Sequence, residues 1–415
     1  MQSLAMAKAL DAQLAALHAA HALQGSTVGS IQDAEAPAAH DFVVEIATHK
    51  AGEPAFLAAW RSLVNSSDSP QKIYQTPEFF RALQDAGGAR VEVLSLVRLS
   101  DAAVVGVVPV RIMPLALHFN IGPLRLLSPK VEVVNLLGST PAVAPGMVVN
   151  EYLATQMLAL FSGAHAVSMQ ALPFESGHWT DIEEFNGQRS LAACRIGPWR
   201  ACHKMPLPGT FDAYLDKFSS KKRYNLKRQL RQLADQAGAL QLVRIAHAGQ
   251  VAELLAAMAL LTTPSERPAL LCGGLCASLA RQGLLLCYVL RGDTGPMAVI
   301  IGTCSPEVLH IHNIFVDKKR LALSVGTSAM HLAIGDIISL GRFTTIDFGY
   351  GTPNYDFRSS QVTQTRAPLL LFDRMSSISL LFFSHTVFVG TVETMISAFK
   401  WARKKLRAVR RSLFD

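Results

Sequence analysis

Two stretches of this chain run through the same order of local patterns, and that repetition constrains the fold more than any single motif. In the first, Pro77–Ala86 has helical spacing, and Val91–Arg98 and Val104–Met113 read as strands around the turn-like Leu99–Ala103. Glu151–Ser162 reads as a helix and Ala166–Leu172 as a strand, followed by a Pro/Gly-rich connection to about Pro208. In the second, Thr210–Ala237 is helical, Leu240–Ile245 is a strand, and Val251–Leu261 and Ala269–Gln282 are helices. Leu284–Arg291 and Met297–Thr303 form a hairpin around Gly292–Pro296. A strand at Val308–Val316, a helix from Gly326 to Leu340 and a strand at Phe343–Phe348 complete it. Helices, a hairpin, a helix and a strand therefore occur twice, which predicts an α/β fold with a mixed sheet built by tandem duplication. No residue-level repeat accompanies the layout, so the duplication rests on element order. The expected units are a helix and linker over 1–40, domains over 41–208 and 209–374, and an apolar, basic helix over 375–415.

Composition enters as an exclusion. Half the residues are hydrophobic (50%) and 17% are charged, so there is ample apolar surface to bury and wholesale disorder is ruled out. Six cysteines are too sparse to hold 415 residues as a disulfide scaffold. The net charge of +8 is unevenly placed. Residues 217–231 carry seven Lys/Arg and no acid, and residues 400–415 carry seven with one acid. Removing +7 and +6 from the total leaves −5 for the rest, which suggests two local anionic contacts rather than a general nucleic-acid partner, with plain solvated helix faces as the alternative for either stripe.

The amino terminus is Ala/Leu-rich and interrupted by polar residues, which predicts an amphipathic helix rather than a secretory signal. Ile378–Phe399 is long enough to cross a bilayer, yet His385 and Glu393 lie within it. A helix packed on the protein or lying in a membrane interface is the expected reading, with an anionic membrane surface met through 391–415. The expected location is the cytoplasm, peripheral to the inner membrane. A helix packed on its own domain with solvated cations is the alternative.

Three patterns in the second half carry chemistry. They are the basic helix Phe218–Leu233, the strand-loop-helix Val308–Ile334, and the strand and turn Thr345–Arg358. A strand leading through Ser324, Val325 and Gly326 into a helix presents backbone N–H groups at the positive end of the helix dipole, a natural site for phosphate. Gly326 permits close approach, and Ser324 and Thr327 add hydroxyls. An ordinary serine cap with a packing glycine is the plainer reading. His310 and His312 share one face of their strand, as a base or as packed core histidines. As a metal pair they lack a convincing third ligand. Cys272 and Cys276 read as buried thiols.

Asp317 with Ser324, Gly326 and Thr327, then Asp347 and Phe348 with Gly351 and Tyr355, resemble the Gcn5-related N-acetyltransferase superfamily. The nearest likeness is its two-domain branch of cellulose- and exopolysaccharide-associated proteins, distantly similar to Fem-type aminoacyltransferases. The resemblance covers about Phe211–Pro368, and the first half only by layout. It departs at Asp356, where that branch has Lys. It implies two GNAT-like domains, the first degenerate, and acetyl-CoA or another acyl-CoA as donor, held by Ser324, Val325, Gly326 and Thr327, with no metal. It implies Tyr355 as general acid, with His312 or His310 as base. Asp317, Asp347, Asp356 and Arg223 are the expected acceptor-binding residues. The acceptor is expected to be an amine or hydroxyl of a small molecule, a polysaccharide precursor or an envelope component. A Fem-like transferase using charged tRNA and a non-catalytic scaffold of polysaccharide assembly are the alternatives.

Overall fold

The computed structural model describes residues 41–67, 69–122, 124–147, 149–186, 190–267, 274–350 and 363–412. All lie in one compact unit, Ala39–Asp415. The first half runs β1 (Phe42–Ile46), α1 (Pro54–Ser66), α2 (Pro77–Ala86), β2 (Arg90–Arg98) and β3 (Val104–Ala116). A small hairpin follows, β4 (Phe119–Ile121) and β5 (Leu124–Leu127), then β6 (Lys130–Leu136), β7 (Ala142–Val143), α3 (Asn150–Leu160) and β8 (Ala166–Pro173). Next come α4 (Gly177–Phe185), β9 (Leu191–Arg195) and β10 (Arg200–Pro206). The second half runs α5 (Phe211–Asp216), α6 (Ser220–Ala237), β11 (Gln241–Ile245), α7 (Val251–Leu261) and α8 (Leu275–Arg281). It continues with β12 (Cys287–Gly292), β13 (Gly295–Cys304), β14 (Val308–Val316), α9 (Val325–Ser339) and β15 (Thr345–Tyr350). β16 (Thr363–Asp373) and α10 (Ser379–Ser412) close the chain.

Two expectations are corrected. Residues 174–208 are not a plain connection: they hold α4, β9 and β10. The helix expected over Thr210–Ala237 is two helices. Ser219 is extended, and its side chain accepts from Lys222 N at 3.3 Å, so it caps a new start instead of continuing the old helix. The helix Pro77–Ala86 forms as the sequence predicts, with the Thr76 hydroxyl accepting from Phe79 N, Pro77 in the first turn and Gly87 at φ 67° after the end.

The duplication is visible in the sheet. β1-β2-β3-β6 form an antiparallel ladder, β6 pairs β8 in parallel, and β8 pairs β16 antiparallel. In the second half β11-β12-β13-β14 are antiparallel, β14 pairs β15 in parallel, and β15 pairs β10 antiparallel. The closing strands are exchanged: β10 follows the first half in the chain but completes the second sheet, and β16 follows the second but completes the first. β10 and β16 then pair with each other, joining both into one 14-stranded sheet. A shared core adds to this junction. Trp60, Phe80 and Val93 from the first half belong to the same buried cluster as Met258, Leu279 and Val299 from the second. That packing fixes the turn before α2 against the strands of the second half.

Candidate active site

The parallel ladder between β14 and β15 is short. Val308 pairs Thr345, Leu309 pairs Ile346, and His310 pairs Asp347, where the pairing ends. Beyond that point β14 stays with β13 while β15 stays with β10, so a wedge opens between the two strands. A bulge helps β14 leave. Ile301 faces Asn313 and Gly302 faces Ile311, which makes His312 the extra residue. Gly302 is needed beside it, because a Cβ there would lie 2.6 Å from the Leu286 carbonyl oxygen.

The closed end of the wedge is buried and charged. Asp347 is 2% exposed; its Oδ1 accepts from Gly349 N at 2.7 Å, and its Oδ2 lies 3.4 Å from Arg366 Nη2. Arg366, equally buried, also donates from Nη2 to Gln364 Oε1 at 2.8 Å. Lys204 faces Asp347 across the ladder, its pKa lowered by burial and then by Arg366. His310 Nδ1 is 3.8 Å from Asp347 Oδ2. Burial pulls the His310 pKa down to about 4 against the opposing pull of Asp347, so the imidazole is neutral at pH 7.

The open end is formed by His312, Thr303 and Tyr74. His312 Nε2 is 2.8 Å from Thr303 Oγ1 and 3.4 Å from the Tyr74 hydroxyl. The Tyr74 ring also sits 6.2 Å from His310 and 6.4 Å from His312, centroid to centroid. Crowding protein atoms lower the His312 pKa, yet its side chain is exposed, and hydration of the imidazolium counters that shift. Burial raises the Tyr74 pKa, which keeps its phenol protonated as a hydrogen-bond donor.

Past the wedge, β14 runs into a 3-10 turn, Lys318–Leu323, and then α9. Ser324 sits at φ 54°, ψ 35°, and its side chain does not cap α9, so it leaves the first amides of that helix to another acceptor. Ser324 Oγ instead accepts from Gln229 Nε2 at 3.1 Å, tying the basic helix α6 to this loop. A Cβ on Gly326 would lie 3.1 Å from Val316 Cγ1, so the helix start packs directly on the end of β14.

The structure thus brings His310, His312 and Asp347 together, with Ser324, Val325, Gly326 and Thr327 at the end of the same strand. Asp317 accepts from Lys319 N at 3.0 Å and pairs with Arg320 at 3.2 Å, which engages it within its own turn. Arg223 pairs with Asp216 at 3.2 Å. Tyr355 and Asp356 lie outside the described residues, as does Cys272. Cys276 is buried, its thiol pushed up to about 11. Sequence reasoning missed Tyr74, Thr303, Lys204 and Arg366. Tyr74 is 238 residues from His312, and no local signal joins them.

Comparison with known proteins fits this geometry. Residues 220–357 match the model of an acetyltransferase (GNAT) domain. No curated protein matches the sequence. Among solved structures, FemX shares 9% identity and a TM-score of 0.51, over 76% of this chain and 95% of that one. A tandem GNAT protein from the clavulanic acid biosynthesis pathway shares 12% identity, covering 81% and 99% with a TM-score of 0.48. Saccharomyces cerevisiae N-myristoyltransferase with bound myristoyl-CoA shares 11%, covering 83% and 85% with a TM-score of 0.43. The likeness to FemX, at that identity, is one of fold. Residues 220–357 are therefore similar to a GNAT acetyltransferase domain, within a chain whose mixed α/β sheet repeats one strand order in its two halves.

Proposed function

We propose that the chain is an acyl-CoA-dependent acyltransferase whose acceptor is an amine or hydroxyl of a polysaccharide precursor or envelope component, and that it works in the cytoplasm. The observation that carries the reading is the wedge ending at His310 and Asp347, open toward His312 and continuous with the start of α9, which Ser324 does not cap. In this reading the pyrophosphate of the donor rests on the amides of Val325, Gly326 and Thr327, and the pantetheine enters between β14 and β15. His312, the exposed histidine, takes the proton from the acceptor nitrogen or oxygen as it attacks the thioester carbonyl. Thr303 and Tyr74 hold the His312 ring. The carbon–sulfur bond breaks as the new bond to the acceptor forms, and the departing thiolate takes a proton from Tyr355. His310, Asp347 and Arg366 form the rigid floor; Asp347, expected on the acceptor, is 2% exposed with both oxygens engaged, which leaves Asp356 as the carboxylate that bears on it.

Calorimetric titration with acetyl-CoA and longer acyl-CoAs tests the donor, and absence of binding at millimolar ligand rejects the proposal. Release of free thiol in the presence of amine and glycan acceptors tests turnover. Retained acyl-CoA binding without turnover on any acceptor would favour the scaffold reading. A tRNA-dependent donor is the second reading, suggested by the exposed Lys221, Lys227, Arg228 and Arg231 on α6. Salt-sensitive tRNA binding that is lost in Lys221→Glu/Arg228→Glu would favour it.

A further inference from the structure

The hairpin β4–β5 and helix α10 adjoin, and both are apolar where a soluble protein is polar. Phe119 of β4 packs its ring 5.0 Å from His385 and 5.1 Å from Phe388, and His385 Nε2 lies 3.3 Å from the His118 carbonyl oxygen. Every residue of β5 is exposed, three of the four being leucines. A strand covered on one face alternates buried and exposed residues, and one bathed in water on both faces should be polar. β5 is neither.

Helix α10 carries the same inversion. Its inner side is fixed to the body by Phe382, His385 and an ion pair between Glu393 and Arg195 at 3.5 Å. At 100° per residue, Leu380, Val387 and Met395 fall on the opposite side, with Phe383 and Phe399 on its flanks. Exposures of the β5 leucines and of these α10 residues run from 53% at Leu126 to 74% at Leu380, apart from Phe383 at 40%. Within Ser379–Arg403 an 18-residue window reaches a mean hydropathy of 1.3, and the segment is long enough to cross a bilayer. Its attachment through Phe382, His385 and Glu393, however, holds it along the protein surface. The charge pattern chooses the occupant. Residues 400–411 hold seven Lys/Arg and no acid, and Arg125 stands within the leucines of β5.

We propose that β4–β5 and the outer side of α10 form one surface that docks on an anionic lipid bilayer, with the leucines entering the acyl boundary and the cations meeting the headgroups. The surface acts independently of the transferase reading. It differs from a basic tail alone in requiring the hairpin.

The test is co-sedimentation of the full chain with vesicles of equal parts phosphatidylcholine and phosphatidylglycerol, and with phosphatidylcholine alone. The wild-type protein is expected to pellet with the anionic vesicles at low salt. Leu124→Ser/Leu126→Ser/Leu127→Ser is expected to lower the partition coefficient at least about tenfold. Because all three side chains are exposed, the melting temperature is expected to hold. Val387→Ser/Met395→Ser reports the helix side in the same way. Removal of residues 400–415 is expected to weaken binding to anionic vesicles. Wild-type-like binding by the hairpin variant, or no binding at low salt, overturns the proposal. So does a hairpin variant that only dissociates a dimer in sedimentation equilibrium, since a second copy of the chain would then be the occupant.

Discussion

Arg366 is the most informative side chain to remove. It is 2% exposed, faces an Asp347 buried to the same degree, and also donates to Gln364. Replacing it with Met keeps much of the volume and leaves a buried carboxylate without its guanidinium. Breaking such a pair from one side costs about 3–5 kcal/mol. Lys204 moderates the loss, because removal of Arg366 lets the opposite lysine hold its proton more firmly. The expected cost of Arg366→Met is therefore at the lower end, about 3 kcal/mol, read from urea unfolding with an unchanged m-value. Asp347→Asn should cost a similar amount. Arg366→Met/Asp347→Asn should cost about 1–3 kcal/mol less than the sum of the two, because the second change removes the charge that the first left stranded. The charge of Arg366 also helps depress the His310 pKa, so its removal should raise the pKa of that imidazole, observable by NMR. A single-variant cost below about 1 kcal/mol, or strict additivity of the pair, would refute this account of the junction.

Acid should destabilise the fold through His310. Its folded pKa of about 4 lies below an unfolded value near about 6.5, so its contribution is present above about pH 6.5 and is lost as pH falls toward 4, by up to about 3 kcal/mol. Unfolding across that range should show His310→Gln losing less than the wild type; an equal loss would sink the assignment. For turnover, His312→Ala should lower kcat by about 10²–10⁴, and the wild-type acid limb should fall below the usual imidazole value because the His312 pKa is lowered. A limb above about pH 7 would exclude His312 as the base. Tyr74→Phe, which removes the hydroxyl 3.4 Å from His312, should reduce kcat with little change in KM for acyl-CoA. Gly326→Asp places a carboxylate at the amide cradle and should raise KM for acyl-CoA at least about tenfold; an unchanged KM would move the donor elsewhere.

Much of the second half is legible because its elements are continuous apolar runs bounded by turn and charged residues. Val308–Val316 and Val251–Leu261 form with the bounds that these runs predict. β10 was hidden for a physical reason: Arg200, His203 and Lys204 read as a surface connection, yet the strand runs through the middle of the sheet, where Lys204 answers Asp347. β16 has the same disguise, with Arg366 and Pro368 preceding its apolar run. Buried charges that satisfy one another look like solvent-facing charges in one dimension. The cradle of Ser324 to Thr327 could be read locally, since a helix start is a local object. The mouth of the wedge could not, because Tyr74 reaches it from the other half.

The exchange of β10 and β16 sets an order on the birth of the protein. When β8 is complete, the strand that must lie on its free edge is still roughly 200 residues away in the message, about 10–40 s at common translation speeds. Through that interval the first sheet carries an unpaired edge with apolar Ala166, Val167 and Met169 along it, the kind of edge that recruits other chains. The second sheet faces the reverse situation, since its closing strand has been made before the rest of it begins. A ribosome that stalls before residue 363 would release a chain with its second half closed and its first half adhesive. Chaperone dependence should therefore concentrate in the nascent first half, and the two halves should not survive separation into independent pieces.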